Sequence, residues 1–258
     1  MALFMEALFP YLLAYLILTS WLLKLTSTYN GSTSFYYLKI YLLSALGGFP
    51  TGAAIIAQLK QSGELHSKDA ARLLGICHSP SPLFVLGFVG QDLLGDVSIA
   101  WRYLLLLYAF SLILLLFIIL KSTPHTIKQP LKLTANPFTT SIKESVPTVL
   151  IVGSTIIFFT TIYTVIDHLI SSYLPSYAQI LMAAVLEMTN GLHLAHISLD
   201  GNLLILATVL FLTTQSLSIH LQVVVIAKGA HLSLKPYMLV RLIFIFCIPT
   251  LYYLLFLL

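Results

Sequence analysis

Between Phe35 and Leu59 an apolar run is interrupted in its middle by Gly47-Gly48-Phe49-Pro50-Thr51-Gly52. A run of roughly 20 apolar residues has the length of a membrane helix. Gly and Pro inside a helix cost about 1 and about 3 kcal/mol relative to Ala. Backbone released in hydrocarbon has no water to bond, so such a break survives only inside protein or beside a wet cavity. The break therefore either lines a solute site or kinks a helix whose glycines allow close packing. Either way, the rest of the chain has to shelter it.

Composition places the run in a membrane. The chain of 258 residues is 59% hydrophobic and 9% charged, with a mean hydropathy of +0.96; soluble domains carry about 25% charged residues. The net charge of +4 sits in connecting loops, where it reports topology and not nucleic-acid binding. Cys77 and Cys247 lie far apart in apolar segments, without metal-ligand spacing or a disulfide framework. The start, Met1 to Trp21, lacks a basic region and carries Glu6, so it reads as a retained first helix and not a cleaved leader.

About eight apolar segments follow one another: Glu6–Leu25, Phe35–Leu59, Leu73–Gln91, Val97–Leu120, Val146–Ile170, Tyr177–Ile197, Leu203–Ala227 and Tyr237–Leu258. The expected fold is all-α and polytopic. Trp21 and Lys24 suit an interface, Ser67 suits the N-cap of the third segment's helix, and Pro147 suits the first turn of the fifth. Lys121 to Lys143 is a polar linker with Pro124, Pro130 and Pro137. It divides the chain into a first half over 1–120, a linker over 121–145 and a second half over 146–258. The turn Thr26–Ser32 joins the first two segments.

Each half has one order: a plain helix, two broken helices and a plain helix. Leu46–Gly52 lies over Leu186–Gly191 with one gap, and Ser79-Pro80-Ser81 over Thr214-Gln215-Ser216. Broken segments at matching places in two halves point to a transporter site. Basic loops belong inside, which places Lys60–Arg72 and Lys121–Lys143 there and the turn with Asp92 and Asp96 outside. The Lys228–Lys235 loop then falls outside unless segment six or seven is re-entrant. An inverted repeat also needs an odd number of crossings per half.

Glu187 is the sharpest single residue. A carboxylate inside an apolar segment costs roughly 2.5 kcal/mol or more on insertion, so it is a functional candidate for proton or sodium coupling or for contact with a solute. Thr189, Asn190 and Gly191 follow it, and Gly191 is expected to release the helix. Half-helices beginning near Gly52 and Pro82 would present unpaired N–H groups and a positive dipole end to an anionic solute. Gly48, Pro50, Thr51, His78, Ser79, Ser81, Ser216, Ser218 and His220 complete the candidate set. His193 and His196 share a helix face, with Glu187 or His220 as a third ligand in reach, but the spacing matches no known metal signature. No nucleophile motif, dinucleotide fingerprint or P-loop is present, and neither an enzyme nor a cofactor is expected.

Taken in order, Gly48-Phe49-Pro50-Thr51-Gly52-Ala53, Ala70-Ala71-Arg72-Leu73-Leu74, Ser79-Pro80-Ser81-Pro82-Leu83-Phe84, Leu186–Gly191 and Leu217–Gln222 resemble the sporulation integral membrane protein YlbJ family, whose members carry a nucleoside-recognition Gate domain. The resemblance implies a multi-pass protein of spore-forming bacteria, in the cell or forespore membrane. It further implies passage of a small anion such as dipicolinate, or of a nucleoside-like solute, or else a scaffold for spore envelope assembly. The chain departs from that family's pattern at His78, usually Asn, at Ala54, usually Lys, and at Thr214-Gln215, usually Gly-Gly.

Overall fold

The computed structural model describes residues 9–25, 33–122 and 136–258. Glu6, the turn Thr26–Ser32, Pro124 and Pro130 lie outside the described residues. Helix dominates, and no strand occurs among the described residues. The elements are α1 (Phe9–Leu25), α2 (Thr33–Gly47), α3 (Thr51–Gln61), α4 (Ser67–Cys77), a π-helix (Phe84–Leu93), α5 (Val97–Lys121), α6 (Pro137–Ile170), a 3₁₀ turn (Ser171–Tyr173), α7 (Ser176–Leu186), α8 (Met188–Ser198), α9 (Gly201–Thr214), α10 (Leu217–Gly229) and α11 (Lys235–Phe256).

Among the described residues, four helical stretches are long and apolar enough to cross a membrane: Val97–Lys121, Pro137–Tyr173, Gly201–Gly229 and Lys235–Phe256. Their outer faces carry large apolar side chains such as Leu105, Leu120, Leu150 and Phe246, the surface a lipid solvent favours. The chain is thus an all-helical, multi-pass membrane protein.

Helix starts differ from expectation at two places. Pro147 lies inside α6 and not in its first turn. The true start is Asn136-Pro137, where Asn136 Oδ1 accepts from the Phe138 and Thr139 N–H groups at 3.2 and 3.3 Å. Asn is a strong cap and Pro suits the position after it. The end of the expected linker is therefore helical. At α4 the cap is His66, and Ser67 is already helical with no capping side chain.

The short helices fold back. α3, α4, α7 and α8 have 11 residues each, about 16 Å at 1.5 Å per residue, against a hydrocarbon core of about 30 Å. One compact unit gathers the described residues of Met1–Ser81, Ser111–Gly153 and Val223–Leu239. Within it, a Cβ on Gly52 would lie 3.3 Å from Ser44 Cβ and 1.7 Å from the Cys77 carbonyl oxygen. Residues eight apart in a straight helix are separated by about 12 Å. α3 has therefore turned back over α2, and the end of α4 presses on its first turn. The turn is Gly48-Phe49-Pro50, with Gly48 at φ +70 and a cis peptide before Pro50.

The second unit gathers Pro82–Phe110, Ser154–Gln222 and Val240–Leu258. Here α8 turns back over α7. A Cβ on Gly191 would fall 2.3 Å from both Cα and Cβ of Ala184, whereas a straight helix separates residues seven apart by about 10 Å.

Adding a methyl group at either contact forces backbone apart, at a cost of about 1–3 kcal/mol. Gly52→Ala and Gly191→Ala should therefore markedly lower the thermal unfolding midpoint of purified protein. Gly87→Ala is the control, since nothing among the described residues lies within 4 Å of its added Cβ. Equal midpoints for all three would refute the close approach.

Candidate functional site

Most of the expected site residues of the first unit come together at the α2–α3 turn. Gly48 approaches Ser81, whose Cβ and backbone N would each lie 2.7 Å from an added Cβ. Pro50 precedes the first residue of α3, Thr51, whose hydroxyl donates to the Gly47 carbonyl at 3.2 Å. That bond closes the turn and occupies the Thr51 hydroxyl. The His78 ring is fully buried between Phe49 and Tyr237, at centroid distances of 5.5 and 5.8 Å. Next to it, Ser79 is 1% exposed and its hydroxyl has no hydrogen-bond partner among the described residues. Buried hydroxyls are normally bonded, so Ser79 is available to a solute or a water.

A polar cluster that the apolar segments concealed lies in the same unit. Lys24 on α1 pairs with Glu144 on α6. Lys24 also donates to Ser20 Oγ at 3.1 Å and Ser141 Oγ at 3.3 Å, and Gln58 on α3 donates to Glu144 at 2.9 Å. A small cleft opens beside them, lined among others by Thr19, Thr51, Gln58, Glu144 and Thr148. Ser141, Glu144, Ser145 and Thr148 follow helical spacing of three and four, so they share one face. Thr51 and Gln58 on α3, and Ser20 and Lys24 on α1, do the same. That spacing was the available signal. Counting Glu144 as linker hid it.

In the second unit the helix break falls at Glu187 and not at Gly191. Glu187 alone is extended (φ −144, ψ 121), ending α7 and capping α8. Its carboxylate accepts from the Asn190 N–H at 3.0 Å and from the Thr189 hydroxyl. A carboxylate at an N-cap satisfies one of the orphan donors and meets the positive end of the helix dipole. Gly191 lies inside α8, where it allows contact with Ala184 and does not release the helix. Asn190 Nδ2 is buried without a hydrogen-bond partner among the described residues.

The α9–α10 break is held at Gln215, with φ 60 and ψ 169, a backbone region used almost only by glycine. Ser216 caps α10 by accepting from the Ile219 N–H at 3.4 Å. His220 Nε2 lies 3.1 Å from the Thr214 carbonyl. Ser218, in the first turn of α10, is fully buried with no partner for its hydroxyl among the described residues.

His193 and His196 are exposed on α8, and no group of three His, Cys, Asp or Glu side chains among the described residues could hold a metal ion. What the breaks can do chemically is present helix N-termini and unsatisfied buried polar atoms, at Ser79 in one unit and at Asn190 and Ser218 in the other. No protein-family model matches the chain, and no curated protein or solved structure is significantly similar to it.

The cap at Glu187 gives a direct test. Glu187→Ala leaves the Asn190 N–H without its acceptor, a loss of about 1–2 kcal/mol for a cap. The unfolding midpoint should fall by several degrees in Ala and by much less in Glu187→Asp, because Asp is itself a strong cap. Identical midpoints for Ala and Asp would show that the cap does not hold the turn.

Proposed function

We propose that the protein is a membrane carrier for a small anionic solute, built from two halves of inverted topology. The observation that carries this reading is the pair of half-length helices that stop and turn back inside apolar protein, at Gly48–Pro50 and at Glu187. Each turn is followed by a glycine, Gly52 or Gly191, that seats the second helix on the first. A second broken element follows in each half: α4 with the π-helix, and α9 with α10.

In this reading each folded-back pair enters and leaves the membrane on one side, and each half crosses three times. The crossings are α1, α4 with the π-helix, and α5; then α6, α9 with α10, and α11. Lys24, Lys60, Lys68, Arg72, Lys121, Lys143, Lys228 and Lys235 then all fall on one side. Asp92, Asp96, Asp167 and Asp200 fall on the other. The Ser98 hydroxyl and backbone N–H, bonding to Asp96, hold its carboxyl below the usual range, so it is charged there. This distribution, with Arg102 near the Asp96 end of α5 as its exception, fits the basic-inside rule, which eight full crossings would break at Lys228–Lys235. The hydroxyls of Ser79 and Ser218 and the amide nitrogen of Asn190, buried without partners among the described residues, support a solute path. Glu187 is the proposed coupling group for a proton or sodium ion. The resemblance to the YlbJ family supports a role in spore formation. A second reading, a scaffold that transports nothing, is favoured by the dense contact of Gly52 with Cys77.

Topology is tested with single cysteines placed in protein whose Cys77 and Cys247 are replaced by alanine. An impermeant maleimide should reach His66→Cys and Lys228→Cys from the side of Lys121, and Gly95→Cys and Asp200→Cys from the opposite side. Labelling of Asp200→Cys and Lys228→Cys from the same side would refute three crossings per half.

Flux tests the carrier itself. Proteoliposomes should take up a small carboxylate in preference to a neutral nucleoside, and Glu187→Gln should remove dependence on a proton or sodium gradient. Wild-type protein that moves no anion or nucleoside would favour the scaffold. Gradient-coupled uptake intact in Glu187→Gln would assign coupling elsewhere.

A further inference from the structure

The cleft between α1, α3 and α6 is polar in a chain that is otherwise apolar. Thr19 and Ser20 of α1, Thr51 and Gln58 of α3, and Glu144 and Ser145 of α6 line it. All of them belong to the first unit. The cleft reaches from Glu144, whose side chain is 38% exposed, to Thr51, which is fully buried. It has room for about one particle the size of a water molecule, too little for an organic solute.

The lining offers acceptors. The hydroxyls of Thr19, Thr51 and Ser145 each donate to the carbonyl four residues back, at 2.7, 3.2 and 2.8 Å. A hydroxyl has one donor and two lone pairs, so what these three have left is acceptor capacity. The Gly52 and Ala54 N–H groups in the first turn of α3 are likewise spent, on the Gly48 and Pro50 carbonyls. Glu144 supplies the charge. Lys24, Ser20 and Gln58 all donate to one carboxylate oxygen, Oε2, and among the described residues no donor reaches the other, Oε1. The carboxylate is part of the lining and the Lys24 ammonium is not.

Oxygen acceptors around a carboxylate repel anions and suit a small hard cation. The cleft is too narrow for a divalent one, since calcium takes about 6–8 oxygen ligands and magnesium keeps several waters. We propose that this cleft binds one small monovalent cation of the size of sodium, with Glu144 Oε1 as its charged ligand and the hydroxyl oxygens as neutral ones. The cation and the Lys24 ammonium then share one carboxylate, each at its own oxygen. Bound there, the ion braces the start of α3 beside the Gly48–Pro50 turn. The site stands without the carrier reading; a role for its ion in transport rests on that reading.

The test replaces choline chloride by sodium chloride at constant ionic strength, which holds screening fixed. It follows the unfolding midpoint of purified full-length protein in detergent, with binding of radiolabelled sodium as a second readout. Sodium should raise the midpoint saturably, and choline, too large for the cleft, should not. Glu144→Gln should abolish both signals. Thr148→Val, which keeps the shape of another lining residue and removes its hydroxyl, should weaken sodium binding about fivefold. An equal sodium response in folded Glu144→Gln overturns the site, and its loss in Glu187→Gln would then place the ion at the α7–α8 break. No sodium response in wild type also overturns it, and a response to calcium alone overturns the monovalent class. Where Glu144→Gln does not fold, unchanged sodium affinity in Thr148→Val is the refuting result. Sodium binding without flux upholds the site and removes the carrier, whereas flux without sodium binding does the reverse.

Discussion

A helix that ends inside hydrocarbon leaves four N–H or four C=O groups with nothing to bond, and the design of this protein follows from how it meets that demand. At Glu187 the answer is a side chain: the carboxylate takes the Asn190 N–H and the Thr189 hydroxyl. Ahead of α10, Ser216 takes the Ile219 N–H. At Gly48–Pro50 the ladder continues by local means, with Gly52 N–H bonding Gly48 and Ala54 N–H bonding Pro50. Each solution needs protein packed tightly around it, and the glycines at positions 52 and 191 allow that packing. Stability thus draws on a few residues that either bond a helix end or let the packing close around it. The polar atoms left over once the helix ends are satisfied, Ser79 Oγ, Asn190 Nδ2 and Ser218 Oγ among them, are buried without a partner among the described residues.

How much of this could be read in the sequence depended on whether the signal was local. Glycine and proline in an apolar run mark a break wherever they stand, so the turn at Gly48–Pro50 and the break at Ser79–Pro82 were legible. So was a broken helix around Glu187–Gly191, because a carboxylate, an asparagine and a glycine crowd into an apolar segment there. The role of Glu187 was less legible. Gly191 is the conventional breaker, yet the chain breaks at Glu187, because a capping carboxylate supplies what glycine cannot and the glycine is needed for contact with Ala184. Contact with a residue on another turn leaves no mark in the local pattern.

Other misses have the same cause. Glu144 stood in a stretch rich in lysine and proline, where charge suggests a solvated linker, and only the helix starting at Asn136-Pro137 puts it on one face with Ser141 and Thr148. The π-helix over Phe84–Leu93 carries no distinctive composition. Arg241 was hidden by its closeness to a span end, where arginine ordinarily reaches for water. It is instead buried and turned onto Phe244, a choice made by neighbours distant in sequence.

The single residue between α7 and α8 has a further consequence. Two helices joined by one extended residue have no slack, so their relative phase is set by the chain itself. Inserting or deleting one residue on either side would rotate the following helix by about 100° and carry Gly191 away from Ala184. A loop of ordinary length absorbs such changes in its own conformations. Here the length of the chain from Ser176 to Ser198 is itself a structural parameter, as tightly held as the identity of any side chain within it.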